Sequence, residues 1–138
     1  MARRDTHLAH FGGQDDWTEY VLGHVDTNHP DIEDRNWLTA IRRYIGSGEW
    51  PGLWTDISFT MFYDDDFAPF LKMFLIGSRA ETARLRERVL FGSDYYMTRN
   101  TAMSERELSV KLRLTLGEEL YRQIAETNPG VWLGAAGR

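Results

Sequence analysis

Three sets of polar side chains sit where they could do chemistry together: His10, the pair Asp56 and Ser58, and Asp94. Each lies in or just beyond a short apolar stretch of β-prone residues. An imidazole in such a place can ligate a metal or move a proton near neutral pH. A carboxylate there can bind a metal or act as a base. In parallel α/β folds, ligands gather outside the carboxyl ends of the strands. Residues drawn from three strand ends are therefore candidates to converge.

Each candidate also has an ordinary structural role. His10 closes its stretch just before Gly12-Gly13, and position alone favours a hydrogen-bonded strand-end histidine. His7 is three residues earlier, so on a strand it is expected to face away from His10. Asp94 follows Gly92-Ser93, where an Asx-turn or a helix N-cap is common. Asp56 sits within its strand, where a carboxylate is costly to bury unpaired. An arginine or a backbone donor is its expected partner, in a structural role.

The remaining polar features point less sharply. Asp64-Asp65-Asp66 reads as a solvated loop or the charged start of a helix, and His24 and His29 as surface or core residues. Tyr95-Tyr96-Met97 either lines a pocket beyond Asp94 or packs. There is no P-loop, GxGxxG, HExxH or GxSxG. There is also no cysteine, which excludes disulfides, Cys-ligated metals and a Cys nucleophile.

The elements that must position these residues alternate in type. Thr6 to Phe11 reads as a strand running into the glycine pair. Trp17, Tyr20, Val21, His24 and Val25 form a helical stripe behind an acidic first turn. His29-Pro30-Asp31 breaks it. A second helix over Glu33 to Ile45 places Trp37, Leu38, Ile41, Tyr44 and Ile45 on one face, and Gly46-Ser47-Gly48 stops it. Leu53 to Phe59 is dense in residues that strands prefer. An apolar helix over Phe67 to Ile76 and a short polar one over Glu81 to Glu87 precede a third strand, Arg88 to Phe91. Leu108 to Leu116 alternates like a strand, yet Ser104 and the residues after it look like a helix start, and helix is the reading adopted. Thr115 to Glu118 has the pattern of a capping box for a last helix over Glu118 to Glu126, ended by Asn128-Pro129-Gly130.

Strands separated by helices point to βαβ units and a parallel sheet with helices on its faces. The 138 residues fit one domain spanning 1–138 and are too few for a closed (β/α)₈ barrel. The 42% hydrophobic fraction and five Trp suffice for a core. Acidic residues outnumber basic ones 21 to 16, unlike a binder of nucleic-acid backbones. No apolar run follows Arg3-Arg4 as a signal peptide requires, and no stretch is long enough to span a bilayer. The expectation is a soluble, cytoplasmic chain without nucleic-acid or membrane partners.

Four segments carry a resemblance: His10-Phe-Gly-Gly13, Trp54-Thr-Asp-Ile-Ser58, Arg88-Val-Leu-Phe-Gly-Ser-Asp-Tyr95, and Asn128 with Leu133-Gly134. In this order they resemble the closing part of the amidohydrolase-related family, metal-dependent hydrolases and decarboxylases of the aminocarboxymuconate-semialdehyde decarboxylase type. The resemblance spans about Thr6 to Gly134, and FGSD is its most specific element. It implies a partial (β/α)₈ barrel made of the last three βα units. It also implies a divalent metal, usually zinc, at the strand ends. His10 would match the sixth-strand histidine, which transfers protons or binds a second metal. Asp94 would match the eighth-strand aspartate, which touches the metal and orients its water. The chemistry would be attack by metal-activated water on a carbonyl-type centre.

The departures shape the functional expectation. The chain has no HxH pair and no fifth-strand histidine, and Tyr96 stands where the family commonly has proline. The resemblance thus implies a C-terminal part of a metal-dependent amidohydrolase acting on a small organic acid, amide or ester. That part is expected to be catalytically incomplete unless another chain supplies the missing strands, and to bind no metal tightly by itself. The alternative is a non-catalytic α/β module that associates with itself or a partner. Open parallel edges favour association in both cases, so a homo-oligomer or a partner chain is expected. An unrelated small α/β binding domain ranks below both, because the matched segments keep the family's order.

Overall fold

A computed structural model of the chain describes residues 5–24, 35–99 and 103–134. In chain order the first half holds β1 (Thr6–Leu8), α1 (Gln14–Val21), α2 (Trp37–Ser47), β2 (Leu53–Asp56), α3 (Phe67–Leu75) and α4 (Ala80–Arg86). The second half holds β3 (Val89–Leu90), the single turn α5 (Tyr95–Thr98), α6 (Glu105–Leu116), α7 (Glu118–Arg122) and α8 (Asn128–Trp132). Short 3-10 turns follow β1 and β2, and a π turn over Gln123–Thr127 joins α7 to α8. The architecture is mixed α/β. Among the described residues the sheet is three-stranded and parallel, in the order β1-β2-β3.

The register sorts the strand residues onto two faces. His7 lies opposite Trp54, and Asp56 opposite Leu90, so His7, Trp54, Asp56 and Leu90 share one face. Leu8, Leu53, Thr55 and Val89 share the other. Leu53 and Val89 join the main core there, with Phe11, Trp17, Leu38, Ile41, Leu71, Leu112 and Ile124. The first face is covered by α8. The Trp132 ring lies 5.4 Å from that of Trp54 and 5.7 Å from that of His7. The Arg88 guanidinium stands 4.5 Å above the Trp54 ring.

Every predicted strand is shorter than the sequence suggests, for a local reason. β1 stops at Leu8 because His10 and Phe11 adopt φ of 63° and 44°, which no strand can hold. β2 stops at Asp56, and Phe59 follows at φ 62°. α1 ends at Val21 rather than running to Val25, which lies outside the described residues. The Gly23 N–H donates to the Tyr20 carbonyl and the His24 N–H to the Glu19 carbonyl, with Gly23 at φ 71°. That is a Schellman stop.

The helix starts show similar corrections. α2 begins after Asn36, whose side chain accepts the Thr39 N–H at 3.0 Å. Asn36 also donates to the Asp16 carbonyl at 3.0 Å. Trp37 does not join the inward stripe; it is 58% exposed, because the first residue after the cap turns toward solvent. The Asp16 carboxylate accepts the Trp37 N–H at 3.2 Å. Burial, aided by Glu19 and Asp15, nonetheless pushes its pKa upward.

The alternating segment Leu108 to Leu116 is helical, within α6 from Glu105 to Leu116. Its capping box is built by Ser104 and Glu107. The Glu107 carboxylate accepts the Ser104 N–H, which holds its pKa below the ordinary range. The box expected at Thr115 and Glu118 does not form. Gly117, at φ 88°, caps α7 without a side-chain bond. Nor does Asn128-Pro129-Gly130 end the last helix. Pro129 sits in the first turn of α8, where its missing N–H costs nothing. Buried Asn128 donates to the carbonyls of Arg86 at 2.8 Å and Val89 at 2.7 Å, docking α8 against the start of β3. No helix among the described residues is long and apolar enough to cross a membrane.

Candidate active site

The centre of the candidate site is the carboxylate at the end of β2. Asp56 is only 7% exposed, so its charge needs donors. Oδ1 accepts the Ser58 N–H at 2.8 Å, the Ser58 hydroxyl, and the His10 N–H at 3.3 Å. Oδ2 lies 2.7 Å from His7 Nε2. The bond from Asp56 to the N–H two residues on is an Asx-turn, and it makes the D-x-S spacing a structural unit. The backbone donors expected for Asp56 are present, and the side chain beside Oδ2 is a histidine rather than an arginine.

This carboxylate gathers both histidines of the first segment. The sequence reading placed His7 and His10 on opposite sides. Strand alternation ends at Leu8, however, and the left-handed turn brings the His10 backbone over Asp56. His7 shares the face of Asp56 by register. The His10 carbonyl accepts the Thr60 hydroxyl at 2.9 Å and the Gly13 N–H at 3.0 Å. The His10 Nδ1 lies 3.0 Å from the Ser58 carbonyl, and the ring meets Phe59 edge-on at 6.4 Å.

Asp94 enters from the end of β3, at φ 53°. Its carbonyl accepts the Met97 N–H at 2.9 Å and so starts α5, in line with the helix-start role considered for it. Its Oδ2 lies 4.0 Å from His10 Nε2, with side chains 30% and 39% exposed respectively. Gly92 permits this approach. A Cβ there would stand 3.0 Å from Ser58 Cβ, so any larger residue would push the end of β3 away from that of β2. The Ser93 hydroxyl donates to Glu105, tying the segment to α6.

The arrangement presents one imidazole and one carboxylate, close together and open to solvent. A shallow cavity of about 290 Å³ lies beside His10 among Leu8, Gly12, Trp37 and Ile41. The larger cavities, of about 570 to 650 Å³, lie away from Asp94. The pair does not by itself fit a catalytic metal. Zinc bonds to N and O are about 2.0–2.2 Å and tetrahedral, so donors 4.0 Å apart could share an ion only at an angle much wider than tetrahedral. Among the described residues no three His, Asp or Glu side chains are grouped to hold one.

The structure thus brings His10, Asp56, Ser58 and Asp94 together. It adds His7, which was set aside, and Thr60, which carried no signal. Asp64, Asp65 and His24 have other surroundings. The Asp64 side chain accepts the Asp66 N–H at 2.9 Å in an exposed turn, and Asp65 pairs with Lys111. His24 is exposed, and His29 lies outside the described residues. Tyr96 and Met97 are largely exposed, at 79% and 57%.

Comparison with known proteins adds one match. The model of a family described as amidohydrolase matches residues 8–134. No curated protein and no solved structure matches the chain.

Proposed function

Because the chain belongs to the amidohydrolase family, we propose that it contributes His10 and Asp94 to a metal-dependent hydrolytic or decarboxylating centre whose remaining ligands come from another polypeptide segment. The observation that carries this reading is the meeting of His10 Nε2 and Asp94 Oδ2, from two strand ends, at 4.0 Å. The HFGG and FGSD elements support a place near the aminocarboxymuconate-semialdehyde decarboxylase type and a part equivalent to the last three βα units of a barrel. The substrate is a small organic acid, amide or ester, and the compartment is the cytoplasm.

Members of this family typically use divalent metals; a bound zinc would supply activated water. Asp94, even if His10 is counted with it, falls short of the three protein ligands a catalytic zinc wants, so no reaction step is assigned to this chain alone. In this reading Asp94 holds part of the metal shell and His10 handles a proton beside it. The completing segment is one that carries the HxH pair and the further histidine which residues 1–138 lack. The outer edges of β1 and β3 pair with no further strand among the described residues, and such edges invite pairing.

The second reading is the non-catalytic module. It draws support from Trp132, which covers the sheet face bearing His7 and Asp56 and leaves the unit able to cover both faces of its own sheet. Assaying the purified chain with added zinc against a panel of small carboxylic acids, amides and esters tests the incomplete-site reading. No turnover is expected from the chain alone, with or without Asp94→Ala. Turnover by the lone chain that Asp94→Ala abolishes would sink it.

A further inference from the structure

We infer that the end of β2 is a positioning device for His10: Asp56 and Ser58, helped by Thr60, hold its imidazole as the Nδ1–H tautomer and present the bare Nε2 lone pair toward Asp94. Donors and acceptors around the ring decide the tautomer. His10 Nδ1 lies 3.0 Å from the Ser58 carbonyl. A carbonyl oxygen only accepts, so Nδ1 must carry the hydrogen. Ser58 Oγ lies 3.4 Å from the same nitrogen. Its hydroxyl hydrogen is committed to Asp56 Oδ1, so Oγ too can only accept from Nδ1. Both neighbours select the same tautomer, and the neutral ring then has its lone pair on Nε2, the atom that faces Asp94.

The same residues fix where the ring is. His10 sits at φ 63°, a left-handed conformation that is unfavourable for a non-glycine residue. Three groups at or beyond the end of β2 hold it there. Asp56 Oδ1 accepts its N–H, the Thr60 hydroxyl donates to its carbonyl, and the Ser58 carbonyl takes its ring hydrogen. Asp56 is itself held by Ser58 and by His7. None of Asp56, Ser58 and Thr60 touches a reacting atom; they act through His10.

The consequence is directional. A neutral His10 in this state can take a proton from, or give a lone pair to, whatever lies between Nε2 and Asp94. It cannot donate a hydrogen there. The catalytic use of that lone pair rests on the function proposed above, but the tautomer does not. A chain that turns over nothing and holds no metal must still show it.

Two-bond proton–nitrogen correlation spectra of the folded chain test this, recorded at about pH 8.5, above the ordinary imidazole range. The His10 signals are assigned by their loss in His10→Gln. The expected wild-type pattern is a protonated Nδ1 and a bare Nε2, the reverse of the form free imidazole side chains favour. Asp56→Ala should lose this pattern, with the two nitrogen shifts moving toward or exchanging places. Asp56→Asn should keep it, because the amide oxygen can retain the Oδ1 contacts. An Nε2–H ring in the wild type overturns the inference, as does an unchanged ring in folded Asp56→Ala. If Asp56→Ala does not fold, reversal of the pattern in Asp56→Asn overturns it.

Discussion

Gly12→Ala should cost the chain about 3 kcal/mol or more of folding stability, by two effects that act together. Gly12 has φ 96°, outside the regions an L side chain adopts readily. An added Cβ would also stand 2.4 Å from the Leu38 backbone nitrogen and 2.8 Å from Leu38 Cα. Those atoms belong to the first turn of α2, which is anchored by Asn36 and cannot give way as a flexible side chain would. Either the turn carrying His10 or the start of α2 must move. Gly13→Ala separates the two effects. Gly13 has φ 83° and ψ 170° and nothing within 4 Å of a built Cβ, so it should cost only the conformational strain of that glycine-favoured region, about 1–3 kcal/mol. Urea unfolding of both variants, followed by circular dichroism, checks the pair. Equal costs would mean that the approach of α2 to Gly12 is not the constraint described.

Trp17→Ala should be as damaging, at about 3–5 kcal/mol, the range for deleting a large buried aromatic. Trp17 is fully buried and meets Phe11, Phe67 and Phe74, each with ring centroids 5.6 Å away. It therefore joins α1, α3 and the turn after β1 in one aromatic cluster. Its indole N–H donates to the Phe11 carbonyl at 2.9 Å, and Phe11 is the second left-handed residue of the turn that carries His10. Trp17→Phe keeps most of the packing and loses that hydrogen bond, so it should cost less but still disturb the turn. Thermal unfolding measures the first effect, and the His10 ring shifts report the second. A Trp17→Ala chain that unfolds with the wild type would contradict the packing described.

The legibility of the fold followed the physics of each segment. The stripe of α2 and the apolar run of α3 were readable because one face of each is buried against the sheet and its neighbouring helices. The parallel sheet followed from strands separated by helices. Strand ends were not readable where a non-glycine residue takes a left-handed conformation, because His10, Phe11 and Phe59 carry no glycine signal. That single fact set His7 aside, since alternation was carried two residues too far. The role of Thr60 depends on a turn brought beside His10 by β1–β2 pairing, a contact fifty residues apart in sequence. By contrast Asp94, and Asp56 with Ser58, were visible because polar residues at the ends of short apolar, β-prone stretches stand out locally. Asn128 stood in the matched pattern without a reason; its bonds to the carbonyls of Arg86 and Val89 supply one.

The central claim is that this chain holds part of a metal centre and not the whole. The most direct measurement is zinc stoichiometry by elemental analysis, after the purified chain has been loaded with zinc and desalted, alongside Asp94→Ala. With only His10 and Asp94 meeting at the strand ends among the described residues, the wild-type chain should retain well under one zinc per molecule, little different from the variant. One tightly held zinc per chain, lost in Asp94→Ala, would show a complete site within these residues and contradict the account.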